Sequence, residues 1–116
     1  MYQINEKVWS VIYPFDTPKE TIIINVNKTF SNIVGVAKSY NVLYKNREFE
    51  VQNHDIYPTK IEAEIYWSIL TIQDYEQSLT LPDLIATDDY EIAYIKAQQL
   101  IFKYTETHPH LILKNL

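Results

Sequence analysis

The chain has 116 residues, enough for one hydrophobic core. An apolar share of 47% argues against disorder, the lack of cysteine excludes disulfides and thiolate zinc sites, and the single glycine excludes a glycine-rich phosphate loop. The net charge of −5 lies wholly in the second half: residues 1–58 carry six basic against six acidic side chains, and residues 59–116 carry four against nine.

In chain order, KVWSVIY (residues 7–13) is an apolar, β-rich run that Pro14 ends. FDTPKE reads as a loop. In TIIINVNKTF (residues 21–30), simple alternation puts Ile22, Ile24 and Val26 on one face and Ile23, Asn25 and Asn27 on the other. Residues 32–45 form a long strand in which Val34, Val36, Tyr40, Val42 and Tyr44 share a parity, with a bulge or bend expected near Gly35. YKNREF is a hairpin turn with Asn46 in the left-handed position. With one glycine, positive φ falls to asparagines, and Asn27, Asn32, Asn46 and Asn53 are the candidates. The return strand places Phe49 and Val51 on one face and Glu48, Glu50 and Gln52 on the other. A fifth short strand fits around residues 53–57.

Pro58 cannot donate to a strand ladder, so the sheet stops there. Thr59 and Glu62 then form a capping box, and a helix follows over residues 60–78. Its apolar stripe is Ile61, Ile65, Ile69 and Ile72, flanked by Tyr66 and Leu70. LTLPDLIATDD breaks the pattern. Asp88 and Glu91 make a second capping box, and a second helix spans residues 89–107 with Ala93, Ala97, Leu100, Ile101 and Tyr104 as its buried stripe. In the tail, HPHLILKNL, the run Leu111, Ile112, Leu113 is too apolar for a free end and is expected to dock or to make homodimer contacts.

Catalytic constellations are sparse. His108 and His110 flank a proline and have chelating spacing in an extended tail, but a third ligand is missing. His54 and Asp55 are adjacent, and on a strand they would point to opposite faces. The carboxylates of both helix starts already have capping roles. No enzyme activity, cofactor or metal is expected. The opening MYQINEKVWS has no leader pattern and no run is long enough to span a bilayer, so the expected location is the cytoplasm.

The stretch YNVLYKNREFEVQNHDIYPTKIEAE, a short meander ending in an aromatic, a Thr-Lys step and Glu-Ala-Glu, resembles small SH3-like modules of phage and prophage proteins. The resemblance covers residues 7–64, and the helix over 89–107 lies outside it. It implies a small accessory protein of a phage or mobile element, many of which bind and inhibit host proteins.

The expectation is therefore an α+β fold: an antiparallel, curled, SH3-like sheet of four or five strands followed by two helices. The first functional expectation is a non-enzymatic inhibitor of a host protein or ribonucleoprotein with a basic surface, of the anti-CRISPR type, contacted through Asp83, Asp88, Asp89 and Glu91. A nucleic-acid-binding module using Lys38, Lys45 and Arg47 is the second. A structural homodimer joined through Leu111, Ile112 and Leu113 is the third.

Overall fold

The computed structural model describes residues 2–13, 15–28, 37–78 and 88–115. Its fold is α+β. Five strands, β1 (Lys7–Ser10), β2 (Lys19–Lys28), β3 (Ala37–Tyr44), β4 (Arg47–Gln52) and β5 (Ile56–Tyr57), form one antiparallel sheet of order β4-β3-β2-β1-β5. The sheet is open, with β4 and β5 at its edges. Three helices follow: α1 (Lys60–Ser78), α2 (Asp88–Thr107) and the short α3 (Pro109–Lys114). Among the described residues no helix is long and apolar enough to cross a membrane.

Contacts divide the chain into two compact units, Met1–Tyr13 with Pro18–Ala63, and Pro14–Thr17 with Glu64–Leu116. The first unit has its own core. Val8, Ile23, Tyr40, Val42, Val51 and Ile56 are buried together, with Tyr2, Ile12, Val26 and Phe49 packed against them. Tyr2 pins the N-terminal segment to this core: its backbone N–H donates to the Tyr40 hydroxyl at 3.1 Å, and its ring meets that of Tyr40 edge-on. Ser10 and Thr21 are buried polar residues, and their hydroxyls satisfy each other at 2.8 Å.

Simple alternation mis-assigns β2. Ile23 is fully buried and Ile22 is 36% exposed, the reverse of the expected faces. The cause is a bulge. Ile23 pairs with Val42 and Asn25 with Asn41, so Ile24 is an extra residue that shifts the parity. Past it, Val26 turns to the core while Asn25 and Asn27 face away. A second irregularity lies between Asn27 and Lys28. The bend expected near Gly35 falls outside the described residues.

The β3–β4 turn has two left-handed residues, Lys45 (φ 48°) and Asn46 (φ 61°), the signature of a type I′ hairpin whose twist matches the strands. Asn46 meets the sequence expectation. Asn27 lies in β2, Asn53 opens a 3₁₀ turn, and Asn32 is outside the described residues. Asn5 takes a positive φ instead, at 71°, where its N–H reaches the Ile23 carbonyl at 2.7 Å.

In the second unit, α1 and α2 run antiparallel and are clasped at both ends. Tyr104 of α2 bonds to Glu64 of α1 at 2.8 Å. At the other end Tyr75 stacks on Tyr94 with 4.1 Å between ring centroids and also meets Tyr90, which contacts Phe15. The expected stripes hold at Ile65, Ile69, Ala93, Ala97 and Tyr104, which are buried. The face of α1 is broader than the isoleucine spacing indicates, since Trp67, Ser68 and Thr71 are buried too, whereas Leu70 is 40% exposed. The C-terminal segment is a helix with Pro109 in its first turn, a position that needs no N–H donor.

Candidate functional site

The face of the sheet opposite the core carries a ladder of side-chain hydrogen bonds across three strands. The Asn25 amide donates to Asn27 Oδ1 at 3.1 Å. Asn27 Nδ2 donates to Asn41 Oδ1 at 2.8 Å and Ser39 Oγ at 3.0 Å, and lies 3.4 Å from Glu50 Oε2. Two hydrogens serve three acceptors, so the two shorter bonds are the principal ones. Asn41 Nδ2 in turn donates to Glu48 Oε1 at 2.6 Å. The β2 bulge builds this ladder, because without its parity shift Asn25 and Asn27 would point into the core.

Beside the ladder the same face turns apolar. Ile22 sits opposite Leu43, both more than a third exposed, and Lys7 opposite Ile22 leads to Trp9 on the same side of β1. Trp9 pairs with Tyr57 across the β1–β5 edge, and the Lys60 ammonium lies 5.6 Å from its ring centroid. Glu20, opposite Trp9, adds a third exposed carboxylate to those of Glu48 and Glu50. An oriented polar ladder next to an aromatic-aliphatic strip is the chemistry of a recognition surface.

The sequence-predicted residues are distributed differently. Asp88, Asp89 and Glu91 are exposed in the first turn of α2, where negative charge complements the helix dipole. Asp83 lies outside the described residues. The residues just before Asp88 lie outside the described residues. Lys45 and Arg47 are brought together at the hairpin tip, where the Lys45 ammonium lies 5.4 Å from the Tyr44 ring centroid, a ring therefore already occupied on that side. The side chain of Lys38 is not among those described. In the tail, Leu111 and Ile112 are half-buried and only Leu113 is open, at 70% exposure.

Two geometric expectations are corrected. His54 and Asp55 do meet, with Nε2 3.5 Å from Oδ2, because they sit in a 3₁₀ turn (Asn53–Asp55) and not on a strand. With three residues per turn, neighbouring side chains diverge by about 120°, not 180°. Burial raises the Asp55 carboxyl above its ordinary range, and His54 pulls it the other way. His108 and His110 sit at the start of α3, not on an extended tail, and their ring centroids are 6.3 Å apart. Among the described residues no three His, Cys, Asp or Glu side chains are grouped to hold a metal ion.

The helical unit contains an apolar pocket of about 280 Å³ lined by Ile69, Ile72, Gln73, Glu76, Ile101 and Ile112. Residue-by-residue reasoning missed both this pocket and the asparagine ladder. The ladder had a signal: four asparagine, serine or glutamate positions in β3 and β4 share the parity opposite to the core.

No protein-family model, curated protein or solved structure matches the chain.

Proposed function

We propose that the chain is a non-enzymatic protein-binding module whose docking face is the outer face of its sheet. The observation that carries this reading is the asparagine ladder beside Trp9, Ile22 and Leu43. Its amides and carboxylates are already held in one geometry, so a partner does not have to order them on binding. The exposed carboxylates of Glu20, Glu48 and Glu50 favour a partner with a basic surface.

The strand unit is read as an SH3-like module. Supporting this are its meander of consecutive antiparallel strands, the return of β5 to the side of β1 after a 3₁₀ turn, and a core that, among the described residues, is drawn from residues 2–56. The likeness is to phage and prophage accessory modules, and the function that follows from it is inhibition of a host protein or ribonucleoprotein, of the anti-CRISPR type. That step rests on analogy of fold.

The test is capture from host lysate on immobilised protein, with and without nuclease, comparing the parent with Leu43→Glu and with Glu48→Lys/Glu50→Lys. A partner held by the parent, lost by both variants and resistant to nuclease is the expected result. Retention of the same proteins by all three overturns the sheet face as the docking surface. Loss on nuclease treatment alone transfers the reading to nucleic acid.

A further inference from the structure

The pocket of the helical unit is apolar at one end and acidic at the other. Its α1 wall is a single helix face, Ile69, Ile72, Gln73 and Glu76, linked by steps of three and four. From Ile69 to Glu76 this wall spans roughly 10 Å, at about 1.5 Å per residue. Ile101 closes the Ile69 end, because α2 runs antiparallel to α1, with Tyr104 on Glu64 and Tyr94 on Tyr75. Ile112 adds a wall from α3. Ile69 is buried and the other three isoleucines are half-buried, whereas Gln73 and Glu76 are exposed. Isoleucine is stiff at χ1, so side chains held on three helices do not swing inward to close the space. The pocket is therefore preformed, as ligand sites generally are.

We propose that this pocket binds a small cationic amphiphile, an alkylammonium whose chain lies among Ile69, Ile72, Ile101 and Ile112 and whose head sits at Glu76. Three observations select this class. The volume, about 280 Å³, falls just below the range of drug-sized ligands, and a chain of about six to eight carbons spans the wall. The head meets two acceptors, the Glu76 carboxylate and the Gln73 amide oxygen, which suit an ammonium with three donors. The potential there is negative: the last turn of α1 has no basic residue to offset the helix dipole, and Asp74 is two residues from Glu76. The basic residues of the packing helices point elsewhere. Lys96 and Lys103 lie about 140° or more around α2 from Ile101, and Lys114 about 160° around α3 from Ile112. The pocket is built wholly from the helical unit and does not rest on the sheet-face reading.

Methyl NMR of the full chain, with its isoleucine δ1 methyls labelled, tests the proposal by titration with octylammonium, octanol and octanoate at neutral pH. The expected result is saturable shifts, largest at Ile69, Ile72, Ile101 and Ile112, with a Kd for octylammonium of about 0.1–1 mM. Octanol is expected to bind about fivefold more weakly, the worth of one ion pair at a solvated mouth, and octanoate more weakly again. Glu76→Lys, at an exposed position, is expected to keep the fold and to reverse the order of octylammonium and octanoate. No saturable shift at these four methyls with any of the three compounds overturns the site. Octanoate binding the parent as tightly as octylammonium, or an order that survives Glu76→Lys, overturns the cationic class.

Discussion

Tyr104 donates its phenolic hydrogen to Oε2 of Glu64 at 2.8 Å, across forty residues of sequence, with both side chains buried. A buried carboxylate needs donors, and this bond ties the start of α1 to the end of α2. Burial, then the bond to Glu64 and then its charge push the Tyr104 phenol up to about 12. The neutral phenol is therefore favoured in the folded state. The stability this contributes is fully present below the unfolded value of 10 and is lost as pH rises toward 12. Tyr104→Phe is expected to lower stability at neutral pH by about 1–3 kcal/mol. Between pH 10 and 12 its stability should also fall less steeply than the parent's. Urea titrations across that range check both statements, and parallel slopes would contradict the second.

Thr59 caps α1, but the box is asymmetric. The Glu62 N–H donates to Thr59 Oγ1 at 3.3 Å, and that hydroxyl donates to Glu62 Oε2 at 2.9 Å, so the carboxylate engages the hydroxyl and not the Thr59 N–H expected of a full box. Thr59→Ala is expected to cost about 1 kcal/mol. Because Glu62 acts through that hydroxyl, adding Glu62→Ala should cost less than Glu62→Ala does alone. Thermal unfolding of the two single variants and the double variant measures this coupling.

The hairpin uses lysine where a type I′ turn favours Asn or Gly. Replacing Lys45-Asn46 with Asn-Gly relieves two left-handed backbones at the cost of the Lys45–Tyr44 contact. A net gain of about 0.5 kcal/mol is expected. A lower unfolding midpoint would show that the cation–π contact outweighs the turn.

Leu111 and Ile112 are the half-buried residues of the tail. Ile112 lines the apolar pocket with Ile69, Ile72 and Ile101, so Ile112→Ala should cost about 1–2 kcal/mol. Leu113→Ser, at an open position, should change stability by less than about 0.5 kcal/mol. Equal effects of the two substitutions would mean that α3 does not dock through Ile112.

Local rules determined much of the chain. Pro58, Thr59 and Glu62 suffice to start α1 at Lys60, and the pair Lys45-Asn46 between two alternating runs suffices for the hairpin, because caps and turns depend on groups within four residues of each other. The stripe Ala93, Ala97, Tyr104 is likewise a property of one helix. What the tertiary structure alone decided depends on pairing between distant segments. Whether Ile22 or Ile23 enters the core follows from a bulge that exists only because β2 pairs with β3 around Ile24. That one-residue shift also turns Asn25 and Asn27 outward to build the ladder. His54 reaches Asp55 because the chain turns through a 3₁₀ step before β5 returns to β1, and the apolar tail became a helix docked through Ile112. A period of two or 3.6 fixes relative orientation within an element, and contacts with the rest of the fold choose the absolute face.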